Sequence, residues 1–148
     1  MSRMNADKSE LIDAELTQRV IGIFYSVHNE LGFGFVESVY ENALAVALRE
    51  AGLDVEQQSR LQVRFRDVVV GQFVTDLVVE QRLLVELKSV SHIVPAHEAQ
   101  LTHYLKATGL RVGLLLNFGP RAQFKRRVFD PALSALIRDH PRQSASKI

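Results

Sequence analysis

Between Thr75 and Val90 the chain reads TDLVVEQRLLVELKSV, two short Val- and Leu-rich runs separated by Glu80, Gln81 and Arg82. Apolar runs of this length on either side of a polar break read as strands of a buried hairpin. Three charges, Asp76, Glu86 and Lys88, fall inside them. A charge buried in an apolar sheet is costly unless it is paired, hydrogen-bonded or bound to a metal. Any sheet built from this stretch must therefore bring the three charges together or leave them at an opening. Strand side chains alternate faces, so Glu86 and Lys88 project to one side, while Val85 and Leu87 turn into apolar packing on the other. A turn at Glu80–Arg82 sets Asp76 roughly opposite Glu86, within cross-strand reach.

Two carboxylates this close repel unless a cation lies between them. Lys88 supplies one positive charge. Hard carboxylate oxygens suit Mg²⁺ or Mn²⁺, and such an ion polarises a phosphodiester and lowers the pKa of a bound water. Lys88 would then orient the water or stabilise charge developing on the phosphoryl oxygens. The spacing alone also admits a plain ion-pair cluster of Asp76, Lys88 and Glu86 with no metal, and by itself it favours that reading.

The rest of the chain supplies the frame. The first seven or eight residues read as frayed. From Ser9 apolar residues recur at helical spacing through Leu11, Ile12, Leu16, Val20, Ile23, Phe24, Val27 and Leu31. Gly32 and Gly34 punctuate the chain. A second helix follows, with Val36, Val39, Tyr40, Ala43, Leu44, Ala47 and Leu48 on one broad face and Gly52 as its stop. From Leu53 the period becomes two, with Val55, Leu61, Val63 and Phe65 alternating with polar residues. The segment RDVVVGQF contains a turn or bulge, either near Gly71 or at Asp67. Strands over Phe73–Val79 and Leu83–Leu87 come next. Pro95 opens a helix to about Thr108, stopped by Gly109. LRVGLLLNF is a continuous apolar run of the kind buried on both sheet faces, FKRRVF reads as a charged edge strand, and PALSALIRDH as a short terminal helix. The expected fold is α/β, a small mixed sheet flanked by helices in the order α-α-β-β-β-α-β.

With 148 residues the chain is long enough for one domain with its own core. It has no cysteine, which removes disulfides and thiolate metal sites and fits a reducing cytoplasm. No uncharged apolar run is long enough to span a bilayer, and no membrane role is expected. Net charge is +1, but residues 119–148 hold seven Lys or Arg against two acids, which leaves the remainder acidic. That end reads either as a solvated tail or as a phosphate-binding edge beside an acidic centre.

Asp76 followed, after a hairpin, by Glu86-Leu87-Lys88 resembles the PD-(D/E)xK nuclease superfamily, with Thr75 at the variable Pro position. VHNELGFGFVESVYENAL is similar to the signature of the GxxExxY proteins, with Gly34, Glu37 and Tyr40 in the named positions. HEAQLTHYLKATGLRVGLLLNFG is similar to a later segment of that family. The resemblance runs over about Leu11–Arg127 and leaves residues 130–148 as a C-terminal extension of a single domain. It implies a restriction-endonuclease-like core and a metal-dependent nuclease acting on nucleic acid, with DNA as the expected substrate. It further implies that Asp76, Glu86, the Leu87 carbonyl and Glu37 hold Mg²⁺ or Mn²⁺, and that Lys88 is the catalytic lysine. Gln100 and Tyr104, matching a QxxxY motif on one helix face, would touch substrate phosphate. A non-catalytic nucleic-acid-binding or assembly module on the same fold is the alternative. Homo-oligomerisation is compatible with either.

Other polar residues read more plainly. Tyr40 suits core packing with a bonded hydroxyl at least as well as substrate contact. Glu41 reads as solvent-facing, and His28 as a helix-end hydrogen-bonding residue rather than a metal ligand. His92, His97 and His103 lack zinc-site spacing and read as surface residues, with His97 near the mouth of the site. Ser89 either ends its strand or meets phosphate. Asp67 and Glu80 read as turn residues.

Overall fold

The computed structural model describes residues 13–130. Two helices, α1 (Ala14–Leu31) and α2 (Glu37–Glu50), precede three strands, β1 (Val55–Phe65), β2 (Val68–Val79) and β3 (Leu83–Lys88). Then come α3 (Pro95–Thr108), β4 (Val112–Phe118) and β5 (Ala122–Val128). The frayed N-terminus and the PALSALIRDH helix expected from sequence lie outside the described residues.

The five strands form one sheet in the order β1-β2-β3-β4-β5. All neighbours are antiparallel except β3 and β4, which run parallel with α3 as the crossover between them. Alternation divides the sheet into two cores. Leu77, Val79, Val85, Leu87, Leu114, Leu116 and Phe118 pack with the Leu16, Val20, Phe24 and Val27 stripe of α1 and with Tyr40, Leu44 and Leu48 of α2. Val78, Leu84 and Leu115 meet Leu101 and Leu105 of α3 on the opposite face. β4 is buried along its whole length, as a strand covered on both faces must be. β5, rich in Lys and Arg, is the sheet edge that its composition predicts.

Both hairpins turn on non-glycine residues at positive φ. Arg66 and Asp67 link β1 to β2, and Glu80 and Gln81 link β2 to β3. Two central residues at positive φ are what a type I′ turn requires, and its twist matches the flanking strands. The turn in RDVVVGQF is thus at Asp67. Gly71 lies beside a bulge, since Val63 pairs with Gly71 but Arg64 pairs with Val69, leaving Val70 as the extra residue.

Candidate active site

β2 and β3 hold strand register only from Val79↔Leu83 to Leu77↔Val85. One step further come Asp76 and Glu86, where side chains take over from the ladder. The Asp76 N–H donates to Glu86 Oε2 (3.2 Å), and the Leu87 N–H donates to Asp76 Oδ2 (2.7 Å). Each carboxylate therefore caps the backbone of the opposite strand, and the pair expected to meet across the hairpin does so. Glu86 is buried and Asp76 half-buried. Lys88 follows Glu86 on the same face, half-buried. Among the described residues it forms no ion pair with either acid, so the geometry differs from a closed Asp–Lys–Glu salt-bridge cluster.

Electrostatics at this spot are unfavourable to two negative charges. Burial pushes the Glu86 carboxyl up to about 8, with the Asp76 charge adding to the effect; the bond from Asp76 N–H and the nearby Lys88 offset only part of it. Asp76 is also raised, first by burial and then by Glu41 and Glu37, against the bond from Leu87 N–H and the pull of Lys88. Tyr104 on α3 lies close enough that Glu86 and Asp76 raise its pKa, after burial as the main cause. Gln100, one turn earlier, is exposed with no hydrogen-bond partner among the described residues. Glu37 is exposed in the first turn of α2, where an acid also suits the helix dipole.

Among the described residues no three acidic or histidine side chains gather into a protein-only metal cage. Glu37 contributes its negative charge to the electrostatics of Asp76 and Glu86. Two hard carboxylates still fit Mg²⁺ or Mn²⁺. These ions keep several waters and are held through one or two carboxylates together with substrate phosphate. Burial first and repulsion by neighbouring carboxylates second raise both carboxyls, and a bound cation would offset both effects.

Glu41 overturns its sequence reading. It is 7% exposed, because Gln57 Nε2 (3.0 Å) and Gln58 Nε2 (2.7 Å) both donate to its carboxylate and so satisfy it inside the fold. Gln58 stands opposite Asp76 in the β1–β2 register and adopts φ 51 in mid-strand, a conformation rarely seen for a non-glycine residue. The signal for Glu41 was its spacing, four residues after Glu37 and three before buried Leu44, on a shared helix face. Val36 and Val39, expected on the apolar face of α2, are instead exposed at its start.

The frame around the site is locked by further polar contacts. Tyr40 is fully buried, stacks on Phe118 (4.4 Å between centroids), donates its hydroxyl proton to Gly32 O and accepts from Phe35 N–H (3.2 Å). It thereby holds the loop in which Gly32 and Gly34 take positive φ and which presents Glu37. His28 Nε2 bonds Gly119 O (2.8 Å), a structural contact. His97 Nδ1 accepts from Val94 N–H and caps α3, whereas His92 and His103 are exposed. Ser89 Oγ makes long contacts to Phe35 O and Phe118 O at the strand end (both 3.4 Å). Asn117, in register with Lys88, was not singled out by sequence. It is fully buried and clamps Val90, donating to its carbonyl (2.9 Å) and accepting from its N–H (3.0 Å), which fixes the chain just past the lysine.

A mixed five-stranded sheet with helices on both faces and an acidic pair at a strand splay is a restriction-endonuclease-like core. Residues 14–128 match the family model described as the PD-(D/E)XK nuclease superfamily, and the chain belongs to that superfamily. Among solved structures it is similar to SSO0001, at 13% identity and a TM-score of 0.50, over 76% of this chain and 59% of that one. It therefore spans little more than half the length of SSO0001. It is also similar to an alkaline exonuclease (LHK-Exo) from Laribacter hongkongensis, at 15% identity and a TM-score of 0.45, over 70% of this chain and 69% of that one. No curated protein matches the sequence. Among the described residues no helix is long and apolar enough to cross a membrane.

Proposed function

We propose that the protein is a divalent-metal-dependent nuclease that hydrolyses phosphodiester bonds in DNA. The observation that carries this reading is the interlocked pair Asp76–Glu86, each acid bonded to the opposite strand's backbone and each with a raised pKa, beside a lysine not engaged with either. Asp76, Glu86 and the Leu87 carbonyl would hold Mg²⁺ or Mn²⁺, with Glu37 adding a ligand directly or through a bridging water. When bound, the ion would polarise the scissile phosphate and acidify a water. Lys88 donates hydrogen bonds to the attacking water or to the phosphoryl oxygens as the new P–O bond forms. The attacking water gives up a proton to solvent, the bond to the sugar oxygen breaks, and that oxygen takes a proton from solvent. Tyr104 and Gln100 on the adjoining helix face contact the substrate backbone. Membership of the GxxExxY group fits Gly34, Glu37 and Tyr40, with Tyr40 serving the loop rather than the substrate. A single domain with residues 130–148 as an extension, in the cytoplasm, completes the proposal.

A metal-dependent cleavage panel tests it, using double-stranded, single-stranded and branched DNA and RNA, with Asp76→Ala as control. Cleavage of DNA only with Mg²⁺ or Mn²⁺, and its loss in Asp76→Ala, is expected. Equal cleavage by the variant, or none by the wild type with either metal, defeats the proposal.

A further inference from the structure

The β1–β2 hairpin outruns the sheet to which it belongs. β1 and β2 stay paired from Val55↔Val79 to Phe65↔Val68, whereas β3 flanks β2 only along Leu77–Val79. β1 is the sheet edge opposite β5. Beyond Asp76 the two strands are therefore a ribbon with no strand on either side among the described residues. One ribbon face leans on α3, where the Phe73 ring stacks on Tyr104 (4.1 Å between centroids) and Leu61, its cross-strand partner, shares that face.

The other face carries Arg60, Gln62 and Arg64 at alternate β1 positions, all exposed. Arg66 follows at the turn, its guanidinium 4.8 Å over the Phe65 ring. Among the described residues none of the three arginines pairs with a carboxylate. Arg64 bonds only the Gln62 amide (3.1 Å) and the backbone carbonyl of Asp67 (3.4 Å). Asp67 is the only acid from Ser59 to Thr75.

A second copy of this chain seated on the ribbon by two-fold symmetry would set like charges against like. A polyanion satisfies all three guanidinium groups, and a two-stranded ribbon is an element that the major groove of duplex DNA admits. The ribbon also starts at the site. Arg60 pairs with Val74, two residues from Asp76, and Arg64 with Val69, seven residues from it. At about 3.3 Å per residue the row runs from about 7 to roughly 20 Å away from Asp76. That reach corresponds to about six base pairs of B-form duplex.

We propose that the β1–β2 ribbon is a duplex-gripping arm, in which Arg60, Arg64 and Arg66 bind backbone phosphates flanking the bond held at Asp76 and Glu86. The proposal rests on the nuclease reading for the identity of the polyanion. Its test is separable from that reading. Binding of a labelled DNA duplex about two helical turns long is followed by fluorescence anisotropy in EDTA over a salt series. Three proteins are compared: wild type, the triple Arg60→Ala/Arg64→Ala/Arg66→Ala variant, and the corresponding triple Arg→Lys variant. Hydrolysis of bis-p-nitrophenyl phosphate, a diester too small to reach the ribbon, is measured with Mn²⁺.

The alanine variant should bind more weakly, and its dependence of log affinity on log salt should flatten by roughly 2 to 3, about 0.9 for each phosphate no longer neutralised. The lysine variant should keep most of the slope, and both should hydrolyse the small diester like wild type. A wild-type slope in the alanine variant overturns the arm even if the protein cleaves DNA. So does a change of oligomeric state without a change of slope, or absence of duplex binding by wild type. Ribbon-dependent binding without hydrolysis of any substrate sustains the arm and defeats the nuclease reading.

Discussion

Replacing Glu86 by Gln should make the metal-free protein more stable at neutral pH. Burial and Asp76 raise Glu86 from 4.5 to about 8. At pH below 4.5 the folded and unfolded chains are both protonated there. Between 4.5 and about 8 the folded chain keeps a proton that the unfolded chain has shed. Stability contributed by the protonated form is therefore full below the unfolded pKa, falls as pH rises, and is lost once pH passes about 8. At about 1.4 kcal/mol per pH unit, the cost reaches on the order of 3 kcal/mol by about pH 7. That figure is a ceiling, because Asp76 is also raised and shares the burden. Gln stays neutral throughout, and its amide oxygen can still accept the Asp76 N–H. Urea denaturation of both proteins in EDTA, from about pH 5 to 8, should show curves that coincide at the acid end and separate in favour of Glu86→Gln as pH rises. Mn²⁺ should reverse the order near pH 8 by stabilising the wild type more. A difference independent of pH, or a variant that loses stability towards pH 8, refutes the reasoning.

Glu41→Ala leaves the Gln57 and Gln58 side-chain amides without their carboxylate, and it should cost about 2 kcal/mol in denaturant unfolding. The Asp76 pKa, read by carbon-detected NMR, should fall in that variant, because one of the charges raising it is gone. Tyr40→Phe keeps the ring on Phe118 but removes the hydroxyl bridge between Gly32 and Phe35, costing about 1 kcal/mol, with faster hydrogen exchange at the Phe35 amide. Gly119→Ala would place a methyl carbon 2.2 Å from Val90 O and 2.9 Å from Asn117 Nδ2. The Asn117–Val90 clamp must open to admit it, so thermal unfolding should report a loss of at least about 2 kcal/mol.

The sequence made legible those features whose cause is local. Pro95 and Gly109 bound α3 as read, because a Pro without an N–H tolerates the first turn and a Gly at φ 79 ends the helix. Alternation assigned Val85 and Leu87 to one face, and the turn at Glu80–Arg82 placed Asp76 across from Glu86. What escaped depends on contacts between distant segments. Glu41 is buried only because two glutamines of β1 come over to meet it. Asn117 sits in an apolar run and looks anomalous until Val90 is placed beside it. The length of the ribbon follows from where β3 stops pairing, which no local pattern encodes. Glu37 stands at the exposed start of α2, and its charge reaches the acidic pair.

In the proposed hydrolytic centre Asp76 and Glu86 hold the metal and Lys88 assists the chemistry. Plasmid cleavage by wild type and Lys88→Ala, run beside Mn²⁺ calorimetry on both, tests it most directly. Lys88→Ala should still fold and bind Mn²⁺ but no longer cleave. Undiminished cleavage by Lys88→Ala would contradict it, as would a wild type that neither binds Mn²⁺ nor cleaves.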